Sequence, residues 1–268
     1  MSNRPIGIFD SGMGGLTVMR ALKARLPGES FIYLGDTARL PYGTKSADTV
    51  TRYAVQASQA LMQHDIKLLV VACNTASAAA LPTLTETLSP LPVVGVIAPG
   101  AEAAVAAAPD GPIAVIATEG TVKGGAYVNA IQALSPQMPV VQQACPLFVA
   151  LAEEGLTQGP ITELAAHRYL DPLLATMPRP RGLVLGCTHF PVLKETIARC
   201  APDVVLIDSA ETTAAAVEKT LSERGLLNTG MAEPSRFLAT DAPGRFAHLG
   251  EIFLGEPIDP GSVTLVDL

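Results

Sequence analysis

Two cysteines in the 268-residue sequence, Cys73 and Cys187, stand in matching surroundings. Leu69-Val70-Val71-Ala72-Cys73-Asn74-Thr75 and Leu183-Val184-Leu185-Gly186-Cys187-Thr188-His189 each run from an aliphatic stretch through a small residue to a thiol. Such a stretch, followed by helical spacing, reads as a buried strand feeding a helix. A thiol at that junction lies near the first N–H groups of the helix, whose positive potential favours the thiolate. Either cysteine alone reads as a small core residue. As a pair they suit inversion of a carbon stereocentre. One group removes the proton from one face, the other donates to the opposite face, and the roles exchange for the reverse reaction.

Other candidate groups cluster at similar junctions. Asp10-Ser11-Gly12-Met13-Gly14-Gly15 follows the first apolar run, and its glycines allow a turn whose N–H groups could hold a carboxylate. Asp10 could hold an ammonium group or adjust Cys73. The spacing is wrong for a dinucleotide fingerprint, and the Gly-Lys-Ser/Thr end of a phosphate loop is missing. Thr118 and Thr121 flank Gly120 at the counterpart turn, where Thr121 could equally be a plain helix cap. Asn74 and Thr75 add donors beside Cys73. His189, two residues after Cys187, could reach a substrate or tune the thiol. Pro41-Tyr42-Gly43-Thr44 reads as a turn. Glu153 falls on a short helix after Cys145-Pro146-Leu147-Phe148, compatible also with a solvated surface. Cys145, Cys200, His64, His167 and His248 read as structural, and the cysteine spacing suits no metal site.

The elements that must position these groups are short aliphatic runs at 6–9, 31–34, 68–72, 93–97, 113–117, 140–142, 183–185 and 204–207. They are continuous rather than alternating, as in strands covered on both faces. Helical spacing lies between them. Val50, Tyr53, Ala54, Ala57 and Leu61 form one stripe, with Ser46 as its cap, and 210–224 forms another helix opened by Asp208 or Ser209. Strand–helix alternation predicts an α/β fold with mainly parallel sheets. The segments 5–12 and 112–119 also resemble each other, in step with the two cysteine segments. That predicts two pseudo-symmetric, doubly wound lobes. Ligands bind at the carboxyl edge of such sheets, so a pseudo-two-fold would set the thiols facing each other across one cleft.

The net charge of −7 and the lack of a basic cluster argue against a nucleic-acid partner. No segment has the length and apolarity of a membrane span or secretion signal, so a cytoplasmic location with reduced thiols is expected. No lysine has a context that singles it out for a pyridoxal-phosphate Schiff base. A non-catalytic two-lobed amino-acid binder is the rival from another class, to be distinguished by binding without exchange of the α-hydrogen.

Four motifs, in the same order, resemble the glutamate racemase family. They are Phe9-Asp10-Ser11-Gly12-Met13-Gly14-Gly15-Leu16, Leu40-Pro41-Tyr42-Gly43, Ala72-Cys73-Asn74-Thr75-Ala76-Ser77 and Gly186-Cys187-Thr188-His189-Phe190-Pro191. The resemblance runs from about Ile6 to Leu254. It implies cofactor-independent interconversion of L- and D-glutamate for bacterial peptidoglycan, with no metal. It implies one lobe from 1–97 with 208–268, a second from 98–207, and the substrate between them. Cys73 and Cys187 would be the acid/base pair, Cys73 acting on D-glutamate and Cys187 on L-glutamate. Asp10, Glu153 and His189 would assist, and Asp10 and His189 would also contact substrate. Ser11, Tyr42, Gly43, Asn74, Thr75, Thr118, Thr121 and Thr188 would contact it too. A homodimer is compatible with this reading, and so is a related two-cysteine racemase of aspartate or another amino acid. Ala117 stands where the family often has glycine in its Gly-Thr-x-Gly-Thr turn.

Overall fold

A computed structural model describes residues 3–228 and 230–268. The chain alternates strands and helices: β1 (Ile6–Asp10), α1 (Leu16–Arg25), β2 (Phe31–Gly35), α2 (Ala47–Met62), β3 (Leu68–Val71), α3 (Asn74–Thr87), β4 (Val93–Gly95) and α4 (Ile97–Ala107). Then come β5 (Ile113–Ala117), α5 (Glu119–Gly124), α6 (Ala126–Leu134), β6 (Val140–Ala144), α7 (Pro146–Glu153), α8 (Pro160–Leu174), β7 (Gly182–Gly186), α9 (Lys194–Cys200) and β8 (Val205–Asp208). The chain closes with α10 (Ser209–Glu223), β9 (Arg236–Ala239), α11 (Pro243–Leu254) and β10 (Val263–Leu265).

Two wholly parallel sheets result. One has the order β10-β9-β2-β1-β3-β4, the other β6-β5-β7-β8. The second sheet repeats the first four strands. β1 lies between β2 and β3, with Ile6 opposite both Phe31 and Leu68. β5 lies likewise between β6 and β7, with Ile113 opposite both Val140 and Gly182. The internal likeness in the sequence is therefore a likeness of topology, with β9 and β10 added at one edge of the first sheet. Cys73 and Cys187 follow the equivalent strands β3 and β7, while Ser11 and Thr118 follow the equivalent strands β1 and β5.

All eight apolar runs contain a strand, but the run at 93–97 is split. β4 ends at Gly95, and Ile97 already opens α4, which packs on α6, α10, β7 and β8. An apolar run cannot by itself distinguish a buried strand from the start of a buried helix. Ser46 caps α2 by accepting from the Thr49 N–H, and Asp208 rather than Ser209 caps α10 through the Ala210 N–H. Between the sheets, α1, α10, α4 and α6 contribute to one apolar cluster that also takes residues from β1 and β5. Separate clusters cover the outer faces under α2 and α3 and under α7, α8 and α9. The two lobes thus share a core, and their carboxyl strand edges are held against one another. No helix among the described residues is long and apolar enough to cross a membrane.

Candidate active site

Each thiol sits where its strand hands over to the next helical segment. Cys73 caps α3, its Sγ accepting from the Ala76 N–H at 3.5 Å and lying 3.6 Å from Ser11 Oγ. Burial, reinforced by the Asp10 carboxylate, pushes the Cys73 thiol up to about 12, against the Ala76 and Ser11 hydrogen bonds. The thiolate expected from the helix terminus is therefore not the resting form of Cys73. One weakly placed N–H does not offset desolvation plus a neighbouring carboxylate. The alkylation of Cys73 by iodoacetamide, followed by mass spectrometry of its peptide, should accordingly keep rising by about tenfold per pH unit from about pH 8 to about pH 10. A rise that levels off by about pH 10, the behaviour of an ordinary thiol, would contradict that assignment.

Cys187 has different neighbours. Its Sγ is 3.8 Å from His189 Nδ1, and His189 Nε2 is 3.2 Å from Glu153 Oε1 at the end of α7. Burial alone would lower the imidazole, but contacts with Cys187 and Glu153 and the charges around them push His189 up to about 10. Its bond to His189 holds Glu153 below the usual carboxylate range despite partial burial. The His189 ring makes an edge-to-face contact with Phe253 of α11, with centroids 5.1 Å apart. Cys187 thus stands beside a cation, while Cys73 stands beside a buried acid. Burial raises the Asp10 carboxyl, opposed by His189 and by turn N–H groups, with Gly12 donating to Oδ2 at 2.9 Å.

Hydroxyls join the lobes between the thiols. Thr75 Oγ1 lies 3.0 Å from Thr118 Oγ1 and 3.4 Å from Thr121 Oγ1, and the latter two are 3.1 Å apart. Thr118, not Thr121, caps α5. Ala117 leaves this turn intact. A Cβ on Gly43 would come within 2.9 Å of Thr118 Cβ, so glycine lets the 42–44 turn approach the second lobe. Thr188 Oγ1 donates to Asp10 Oδ1 at 3.5 Å, and Thr17 Oγ1 donates to the Thr188 carbonyl at 2.9 Å.

These groups enclose a cavity of about 160 Å³. Eleven of the residues singled out from the sequence line it: Ser11, Tyr42, Gly43, Cys73, Asn74, Thr75, Thr118, Glu153, Cys187, Thr188 and His189. Asp10 and Thr121 are buried one layer back, behind Thr188 and behind the Thr75–Thr118 pair. The Tyr42 phenol is turned away and donates to Asp36, which also accepts from Arg39 Nε at 2.7 Å and Thr240 Oγ1 at 3.0 Å. Sequence reasoning assigned no individual role to the other lining residues, Gly12, Leu40, Pro41, Thr44, Glu119, Pro146 and Val149. Pro146, Val149 and Glu153 share one face of α7, so helical spacing back from Glu153 carried the signal for two of them. The lining includes no lysine or arginine. The His189 imidazolium is the cationic group of the lining, so an anionic ligand would otherwise be held by hydroxyls, the Asn74 amide and backbone N–H groups.

Comparison with known proteins agrees with this architecture. The family profile of the Asp/Glu/Hydantoin racemases matches residues 6–217. The glutamate racemase of Geobacter metallireducens is 50% identical over 270 residues, spanning 99% of this chain and 97% of that protein. The crystal structure of the Francisella tularensis glutamate racemase in complex with D-glutamate superposes with a TM-score of 0.92 at 39% identity, covering 100% of this chain and 98% of the other. The Thermus thermophilus glutamate racemase in complex with beta-chloro-D-alanine gives 0.89 at 44% identity, covering 99% and 98%. On the profile match, the identity and the shared fold, the chain belongs to the Asp/Glu/Hydantoin racemase family.

Proposed function

We propose that this protein interconverts L- and D-glutamate by proton transfer at Cα between Cys73 and Cys187, without a metal or organic cofactor. The observation that carries the reading is the placement of two thiols at equivalent strand ends of two lobes, on one small cavity. Substrate lies between the lobe formed by 1–97 with 208–268 and the lobe formed by 98–207. For L-glutamate, the Cys187 thiolate takes the α-proton, and the electron pair of the broken bond remains on Cα as a planar carbanion conjugated with the carboxylate. The Cys73 thiol, the form its burial favours, then gives its proton to the opposite face. Cys187 ends as the thiol and Cys73 as the thiolate, ready for the reverse turnover from D-glutamate. Asp10 prepares Cys73. The cationic His189, steadied by Glu153, stabilises the Cys187 thiolate and compensates the substrate's negative charge. Ser11, Thr75, Thr118 and Thr188, with the Asn74 amide and the backbone at Tyr42 and Gly43, hold the two carboxylates at a fixed separation, and Thr121 supports Thr75 and Thr118 from behind. Buried polar partners of that kind reject ligands that leave them unpaired, so aspartate and glutamine are poor substrates. The product D-glutamate supplies peptidoglycan synthesis in the cytoplasm.

Protein dialysed against a chelator and incubated with L-glutamate in heavy water should yield D-glutamate carrying deuterium at Cα. Binding without α-hydrogen exchange would leave a binding protein instead. Activity that returned only with a metal or pyridoxal phosphate would remove the two-thiol chemistry.

A further inference from the structure

The Asn74 side chain is 2% exposed and lines the cavity, yet its amide nitrogen has no hydrogen-bond partner among the described residues. Its oxygen is satisfied by the hydroxyl of Tyr127, which donates to Oδ1 at 2.8 Å. Buried amide N–H groups are ordinarily paired, so an unpaired one beside a cavity marks a place for an acceptor. Asn74 belongs to the first lobe, directly after Cys73, whereas Tyr127 lies in the second lobe near the start of α6 and is fully buried. The ring has a second contact with the acid/base machinery. A Cβ on Gly186, the residue before Cys187, would lie 2.9 Å from Tyr127 Cε2, and one on Gly100 would lie 3.1 Å from Cε1. The ring is therefore wedged between α4 and the end of β7. Burial raises the phenol, which stays protonated and remains a donor.

We infer that Tyr127 is a positioning residue for both half-sites. Its hydroxyl fixes the Asn74 amide so that the nitrogen is presented to a substrate carboxylate, and its ring seats the turn that carries Cys187. An amide without such a partner can flip by half a turn, and its oxygen would then repel a carboxylate where its nitrogen should bind one. The Tyr127 hydroxyl spends its proton on Oδ1 and so leaves both amide N–H groups to an acceptor in the cavity, whereas in a flipped amide one N–H would be drawn to the phenol oxygen and the carbonyl would face the substrate. This role rests on the proposed racemisation, since it needs an anionic substrate in the cavity.

Tyr127→Phe keeps the ring and removes only the hydroxyl. It should raise the KM for glutamate by about tenfold while kcat changes by less than about threefold. Asn74→Ala should raise KM as well. If Tyr127 acts through Asn74, adding Tyr127→Phe to Asn74→Ala should raise KM by less than about twofold further. Additive effects in this cycle, or an unchanged KM in Tyr127→Phe, would overturn the role. Asn74→Asp supplies a second check should Tyr127→Phe fold poorly. It keeps the acceptor for Tyr127 but replaces the amide nitrogen by an acceptor, and should raise KM at least as much as Tyr127→Phe. An unchanged KM there would also overturn the inference. Calorimetric binding of glutamate to the wild-type protein separates the two failures. A wild type that neither binds nor racemises glutamate removes the functional reading, whereas wild-type turnover with an additive cycle removes Tyr127 alone.

Discussion

Replacing Cys73 or Cys187 by serine should each lower glutamate racemisation at least about a thousandfold in both directions, because inversion needs an acid and a base on opposite faces. Serine preserves shape, but an alcohol is a far weaker acid than a thiol and supplies almost no base near neutral pH. Removal of the proton needs only one of the two groups. An analogue that expels a β leaving group once its Cα–H bond breaks therefore reports each face separately. Cys73→Ser should still process the L-analogue through Cys187, whose His189–Glu153 support is untouched. Cys187→Ser should still process the D-analogue through Cys73. The surviving half-reactions need not be equal, since a cation adjoins one thiol and a buried carboxyl the other. Cys145→Ser and Cys200→Ser should leave both reactions nearly intact, neither residue lining the cavity. Wild-type racemisation by either active-site variant would end the two-thiol mechanism. Processing of the same enantiomer by both would end the opposed-face geometry instead.

The parts of the fold legible in the sequence were those fixed by composition over several residues. Eight continuous aliphatic runs announced strands buried on both faces, and matched segments announced the repeat. β9 and β10 were not legible. Arg236-Phe237-Leu238-Ala239 and Val263-Thr264-Leu265 are short, and they pair in turn, β9 on β2 and β10 on β9, at the edge of a sheet built by distant residues. The site divides in the same way. Strand ends placed Cys73, Cys187, Asp10 and the threonines, because topology brings equivalent strand ends together. Contacts made by the far side of the molecule had no such signal. His189 meets Glu153 and Phe253, Tyr42 turns its phenol to Asp36, and Tyr127 reaches Asn74 across the lobes. The state of Cys73 departs from the sequence expectation for a related reason. A helix terminus is visible in sequence, whereas the depth of burial and the approach of Asp10 that outweigh it are tertiary facts.

One of those tertiary facts makes a conservative-looking change severe. Gly14→Ala would place a Cβ 2.5 Å from both Cε1 and Nδ1 of His189 and 2.7 Å from Thr188 Oγ1. Contacts that short force something to move. His189 is bonded to Glu153 at one end of its ring and packed on Phe253, and the carbonyl of Thr188 is tied to Thr17. The methyl group must therefore either swing the imidazole away from Cys187 or draw the start of α1 back from the second lobe. Nδ1 is the atom 3.8 Å from the Cys187 sulfur, so either movement spoils the support of that thiol. A displacement of about 1 Å at a reacting group costs on the order of a hundredfold in rate, and overpacking of this kind costs about 1–3 kcal/mol of stability. Gly14→Ala should thus remain folded and lose about a hundredfold or more in kcat/KM. Removal of the proton from L-glutamate, the Cys187 half-reaction, should suffer more than removal from D-glutamate. Gly124→Ala is the control, since its Cβ would meet nothing within 4 Å. Deuterium uptake by each enantiomer, measured beside urea denaturation, separates the outcomes. Equal losses for the two enantiomers would point to a general opening of the lobes, and wild-type exchange with only a stability change would show that the imidazole does not need its present place.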